Sequence, residues 1–317
     1  MGILVAGWAD AGLHPETFWL GYATGPAAAW HRSPSSSQEL ENSFYPLFYG
    51  PGVIDVGGLY QLMSEQAQFW EDSWETGPSA ARTPIFGNSY GVFNPPRPAR
   101  DQFLPALPVP SAELLHLGSD WRLENQRRLE LASTFLAQND RLLDLLHMNL
   151  RRVQFNRYNL EVYLSIAGLY RQNLLMLQDL GRISDDLKAA EASAGRGETE
   201  RAVESLDRTI AIAQSIRQQR NKALENATAT WYKSWFPRVP EANGRKYFDQ
   251  VDDVKDHQPV RTIDMSYLVY RELLYPLGDW VKRVIAVRNE YAKAHHLPVR
   301  DYNFNWNEIS SAPTVEQ

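Results

Sequence analysis

The sequence predicts a mainly α chain that opens on a single βα unit and continues into a bundle of long helices. Three observations carry this. Ile3-Leu4-Val5-Ala6-Gly7 is short, apolar and β-branched, and no second convincing strand follows nearby. Apolar residues then recur at three- and four-residue spacing through several long stretches. Residues 77–110 interrupt that pattern with Pro, Gly and Asn, including Pro95-Pro96 and Pro105 through Pro110, which reads as a long irregular connection.

The elements follow in order. Residues 3–8 form the strand. A lone strand leaves its edges unpaired and cannot bury both faces. The run therefore reads as the last part of a larger sheet whose earlier strands are missing. Pro15 to Trp30 predicts a helix, with Pro15 in the first turn and Phe18, Tyr22 and Ala29 on one face. Ser33-Pro34-Ser35-Ser36-Ser37 breaks it and caps the next helix, about Gln38 to Tyr49, which Gly50-Pro51-Gly52 ends. A helix from about Leu59 to Trp74 precedes the irregular connection.

The second half is long helices. Leu129, Ala132, Leu136, Asn139, Leu143, Leu146, Leu150 and Val153 form a heptad seam with one polar interruption, Asn139. A polar seam residue can set register; otherwise the seam is core packing. The pattern runs on through Leu160, Leu164 and Ala167, with Asn156-Arg157-Tyr158-Asn159 as its softest point. Compactness favours two helices between Asp120 and Gly181, and the seam favours one. Gly195-Arg196-Gly197 is a turn. Glu198 to about Trp235 returns as a helix that Pro237 and Pro240 stop. Residues 241–264 read as polar and irregular, Ser266 to His296 as a last helix kinked at Pro276, and 309–317 as disordered.

Composition limits the function. The chain has 317 residues, 44% hydrophobic and 22% charged, as in an ordinary globular protein. A net charge of −6 argues against a nucleic-acid partner, which would need a basic face. No apolar run reaches the ~20 residues a membrane span needs. The absence of cysteine excludes disulfides and thiolate chemistry. Met1-Gly2 leads straight into the strand without a basic region, so no signal peptide is visible. Ten Trp and fifteen Tyr suit either deep cores or carbohydrate sites, where ring faces stack on sugar C–H surfaces.

Trp8-Ala9-Asp10-Ala11-Gly12 is the first candidate site. In parallel barrels, functional residues stand where strands end. Trp8 can wall a pyranose, and Asp10 can accept sugar hydroxyl protons. The plainer alternative makes Trp8 core and Asp10 a helix cap. The second candidate is Asp252-Asp253-Val254-Lys255-Asp256-His257 with Asp264, carboxylates plus a histidine that could ligate a divalent metal. It lacks EF-hand spacing and carries Lys255 at its centre, so caps and salt bridges to Arg245, Arg261 or Lys255 are the better reading. His295-His296 suits a helix C-terminus. Gly57-Gly58 has no phosphate-loop context, and no Gly-x-Ser-x-Gly nucleophile motif is present.

Gly7-Trp8-Ala9-Asp10, then Phe18-Trp19-Leu20-Gly21-Tyr22-Ala23, then Ala28-Ala29-Trp30 before Ser33-Pro34, then Glu39 to Phe48-Tyr49-Gly50, resemble the eighth strand and helix of a glycoside hydrolase barrel. The similarity is to family 20-type β-N-acetylhexosaminidases and their bacterial relatives. Trp231-Tyr232-Lys233-Ser234-Trp235-Phe236-Pro237, the run 251–257 and Asp264-Met265-Ser266-Tyr267-Leu268 resemble the helical C-terminal region of such relatives. The resemblance implies a retaining, substrate-assisted reaction in which the acetamido oxygen attacks the anomeric carbon. It also implies an adjacent Asp–Glu pair at the end of the fourth strand. That pair has no counterpart here: Glu71-Asp72, Asp185-Asp186 and Asp252-Asp253 fall on the wrong elements. Only Trp8 and Asp10 match barrel-end positions that can touch a sugar, and the Trp-Ala-Asp spacing departs from the commonest form.

The expected architecture is thus the terminal βα unit of a (β/α)8 barrel over 1–50 and a helix with an irregular connection over 51–110. A helical bundle domain over 111–300 and a tail over 301–317 complete it. The expected function is that of part of a glycosidase acting on terminal N-acetylhexosamine of glycans, inactive by itself and without cofactor or metal. Its expected partners are the glycan and either the missing barrel or a second copy of the chain. The resemblance leaves an exported or periplasmic bacterial location open. The rival expectation is a non-catalytic helical scaffold or oligomerisation module.

Overall fold

A computed structural model describes residues 4–5, 14–30, 36–74, 106–231, 233–234, 241–242, 245–246 and 277–302. The described residues are mainly helical, as expected. A 3-10 helix, Pro15–Phe18, leads directly into α1, Trp19–Trp30. α2 spans Ser37–Tyr49 and α3 spans Val56–Trp74. A short α4, Trp121–Glu124, precedes α5, Gln126–Leu150. α6, Arg157–Gly195, and α7, Thr199–Trp231, are the longest, at 39 and 33 residues. α8 spans Leu277–Ala294. β1, Glu241–Ala242, and β2, Arg245–Lys246, form a two-residue antiparallel ladder inside a stretch expected to be irregular.

Leu4 and Val5 belong to no helix or strand; the rest of the expected strand lies outside the described residues. So do 77–105, 247–276 with the expected kink at Pro276, and 303–317.

Local chemistry sets the boundaries. Ser36 Oγ accepts the Glu39 N–H at 3.2 Å while Glu39 Oε2 accepts the Ser36 N–H at 3.0 Å, a reciprocal cap that starts α2. Gly50, at φ 94°, ends it. Asp55 caps α3 by accepting the Gly58 N–H at 3.2 Å, which moves the start three residues before the expected Leu59. The seam breaks at 151–156. There Asn156 adopts a left-handed φ of 52°, and its side-chain amide donates to Phe48 O at 2.8 Å. α5 and α6 are therefore two helices.

α5, α6, α7 and α8 run up and down. Asn139 Nδ2 donates to Ala167 O at 3.0 Å, Trp231 Nε1 donates to Ser165 Oγ at 2.9 Å, and Arg288 Nε pairs with Asp207 at 2.8 Å. Each pair joins neighbouring antiparallel helices. The α6–α7 turn closes on Gly197, at φ 73°, with Glu198 N–H donating to Ser193 O at 2.9 Å. One apolar cluster runs from Phe44 and Tyr49 in α2, through α3, α5, α6 and α7, to Tyr291 in α8. Asn139 is fully buried within it, bonded also to Gln66 Oε1 of α3 at 3.3 Å.

α2 and α3 are stitched to the α5–α6 turn. Asn149 grips the Ile54 backbone twice, accepting its N–H at 2.7 Å and donating to its carbonyl at 2.8 Å. Tyr49 O accepts the Gln154 N–H at 2.9 Å. Residues 106–120 close the opposite end of the bundle: Trp280 Nε1 donates to Pro108 O at 2.9 Å and Leu115 is fully buried. Residues 297–302 fold back on α8, where Arg300 Nη1 reaches Asp207 at 2.8 Å.

Candidate functional site

Trp8 and Asp10 lie outside the described residues, as do Asp252, Asp253, Asp256, His257 and Asp264. Their geometry does not enter the account. What the structure describes is the support immediately after them, beginning at His14.

His14 is buried at 2% exposure. Its Nδ1 accepts the Glu16 N–H at 3.2 Å and so caps the 3-10 helix. This bond assigns the neutral ring's proton to Nε2. Nε2 faces Tyr158 Oη of α6 at 3.2 Å and Ser234 Oγ beyond α7 at 3.3 Å. Tyr158 Oη in turn donates to Thr230 O at 3.0 Å. The ring also stands edge-on to Trp231, with centroids 5.1 Å apart. Burial lowers the His14 pKa to about 4, because the charged form loses its water.

Two residues on, Glu16 enters a second buried set. Asn159 Nδ2 donates to Glu16 O at 2.7 Å and to Glu16 Oε2 at 3.0 Å. Asn159 Oδ1 accepts from Tyr49 Oη at 2.5 Å, and Tyr49 Oη lies 2.8 Å from Tyr60 Oη. Tyr60 and Tyr163 meet edge to face with centroids 5.2 Å apart. Burial raises the pKa of Tyr49, Tyr60 and Tyr163, so these phenols stay protonated and act as hydrogen-bond groups only. The two sets join the chain just past Asp10 to α2, α3, α6 and the end of α7. Sealed from solvent, they serve to position the chain.

An open groove of about 950 Å³ lies between α6 and α7. Leu164, Gly168, Leu175 and Ala223 contribute apolar lining. At one end Lys233 Nζ bonds Glu161 at 2.8 Å, which lowers the Glu161 pKa together with Arg157. Toward the other, Arg182 pairs with Asp179 at 2.8 Å; burial nevertheless raises the Asp179 pKa.

The remaining sequence candidates have structural roles where they are described. Asp185 pairs with Arg122 at 3.0 Å and Asp186 with Arg208 at 2.8 Å. The His295 ring lies against Tyr291, centroids 4.3 Å apart. Among the described residues no cluster of three or more His, Asp or Glu is placed to hold a metal, and no helix is long and apolar enough to cross a membrane.

His14, Glu16, Tyr49, Tyr60 and Tyr163 were not legible as a set, because their partners are far away in sequence: His14 and Tyr158 are 144 positions apart. The one signal was local, the soft point at 156–159, which proves to hold both anchors. Comparison with protein-family models, with curated proteins and with solved structures finds no match.

Proposed function

We propose that the chain is the terminal βα unit and helical brace of a glycoside hydrolase acting on terminal N-acetylhexosamine of glycans. Trp8 would wall the sugar and Asp10 would accept its hydroxyl protons. The general acid and the acetamide-orienting carboxylate would come from polypeptide outside these 317 residues. The reading comes from the resemblance of residues 7–50. The observation that supports it is the double anchor at His14 and Glu16, only four and six residues past Asp10. A binding loop works when its base is held rigidly by packed, hydrogen-bonded neighbours. Tyr158 and Asn159 supply such a base.

The test compares this chain with the same chain joined to the polypeptide encoded directly upstream. The substrate is p-nitrophenyl N-acetyl-β-D-glucosaminide. The 317-residue chain is expected to give no turnover, since general acid catalysis alone is worth ~10²–10⁴-fold. The joined protein is expected to turn over, and Trp8→Ala in it should lower kcat/KM sharply with a smaller effect on Tm. Absence of turnover on any aryl N-acetylhexosaminide would sink the reading. So would turnover by the 317-residue chain that a mutation within it abolishes.

The rival reading, a non-catalytic helical scaffold, is favoured by one feature. α6 alone has 39 residues, a rod of roughly 58 Å at the usual helical rise, longer than bracing a single loop requires.

A further inference from the structure

α1 is twelve residues long, Trp19 to Trp30, and carries no charged side chain and no buried residue. Trp30 is 91% exposed and Trp19 is 45% exposed. Leu47, on the neighbouring α2, is 81% exposed. A helix apolar on all sides belongs in an interior, and a bare apolar surface of this kind marks a contact. The residues before α1 repeat the pattern. Val5 lies against α1, so that a Cβ at Gly25 would fall 3.1 Å from its side chain, while Leu4 is 90% exposed.

We propose that α1, Leu47 and the Leu4–Val5 run form a docking surface for a parallel β-sheet contributed by polypeptide outside these 317 residues. The inference rests on reading the chain as the end of a barrel. The chemistry selects this occupant. A β-branched run followed by a helix, with alternate residues on and off that helix, is a βα unit. Such units are stable where the strand is paired on its edges and covered on both faces. A helical partner would cover α1 and leave the strand edges unpaired. α1 is too short to span a membrane, which takes ~20 residues. Gly21, with open space around its Cβ position, and Ala27-Ala28-Ala29 permit the close approach that sheet-on-helix packing needs.

Hydroxyl-radical footprinting read by mass spectrometry tests this on the 317-residue chain and on the chain joined to its upstream polypeptide. In the shorter chain Leu4, Trp19, Trp30 and Leu47 should label readily. In the longer protein they should lose that labelling, while Leu114 and Leu123, 71% and 66% exposed, keep it. As a second measurement, Trp30→Arg should leave the Tm of the shorter chain unchanged and lower that of the longer protein. Equal labelling in both proteins overturns the proposal. Protection in the shorter chain that grows with concentration also overturns it and assigns the face to a second copy. Protection on phosphatidylcholine vesicles overturns it in favour of a lipid surface. A genome with no βα-repeat polypeptide encoded directly ahead of Met1 overturns it as well. Turnover by a longer protein with α1 still labelled would sink the docking surface and spare the proposed function. Protection without turnover would do the reverse.

Discussion

At the scale of single residues, His14 and Tyr49 carry the most testable chemistry. Burial holds the His14 pKa at about 4 against an ordinary 6.5. Between those values the unfolded chain binds a proton that the folded chain refuses, so stability falls as pH drops from 6.5 toward 4 and the loss levels off below. The full loss is on the order of 3 kcal/mol. Urea titrations of wild type and His14→Gln from pH 8 to pH 3 should show that slope in the difference between them; a flat difference would refute it. Tyr49→Phe should cost ~1–3 kcal/mol, because it leaves Asn159 Oδ1 buried without its donor. Loss of under half a kcal/mol in the same titration would mean that the hydroxyl is not needed there.

At the scale of elements, the boundaries were largely legible and the joints between elements were not. Ser36 and Glu39 announce α2 because a capping box needs only neighbours in sequence. The Gly195-Arg196-Gly197 turn is similarly local. The α5–α6 break was legible as a soft point and undecided as a break. The seam residues pack equally well in one helix or two; the left-handed Asn156, bonded to Phe48 O, closes the question. Asn139 shows the cost of a polar seam residue handled well. Its amide serves Ala167 O and Gln66 Oε1, tying α3, α5 and α6 at one level. Asn139→Leu should lower stability by ~1–3 kcal/mol, since both partners then stay buried unpaired. A stabilised Asn139→Leu variant would show that an apolar seam suits the bundle better than the pinned register does.

At the scale of the molecule, α2 and α3 and the long helices share one apolar cluster and several buried polar joints. Residues 111–300 alone retain the α5–α6–α7–α8 pairing and should fold with a cooperative helical melt. They lose Tyr49, Ile54 and Gln66, which answer Asn159, Asn149 and Asn139. The fragment should therefore melt below the full chain by circular dichroism. An unfolded fragment would show that the long helices depend on α2 and α3; an equal Tm would show that the joints contribute little.

The sequence by itself determined the mainly α character, most of the helix limits, the turns and the polar interruption at Asn139. Each is written in neighbours a few positions apart: periodicity, caps, Gly and Pro. Only the tertiary structure decided that the segment after Asp10 is anchored through His14 and Glu16 to Tyr158 and Asn159. It alone showed that α1 is left bare. A hydrogen bond across 144 positions leaves no local trace, and a helix without charges reads in sequence as ordinary core. Burial belongs to the folded chain, and it alone turns an ordinary histidine and a short apolar helix into an anchor and an unpartnered surface.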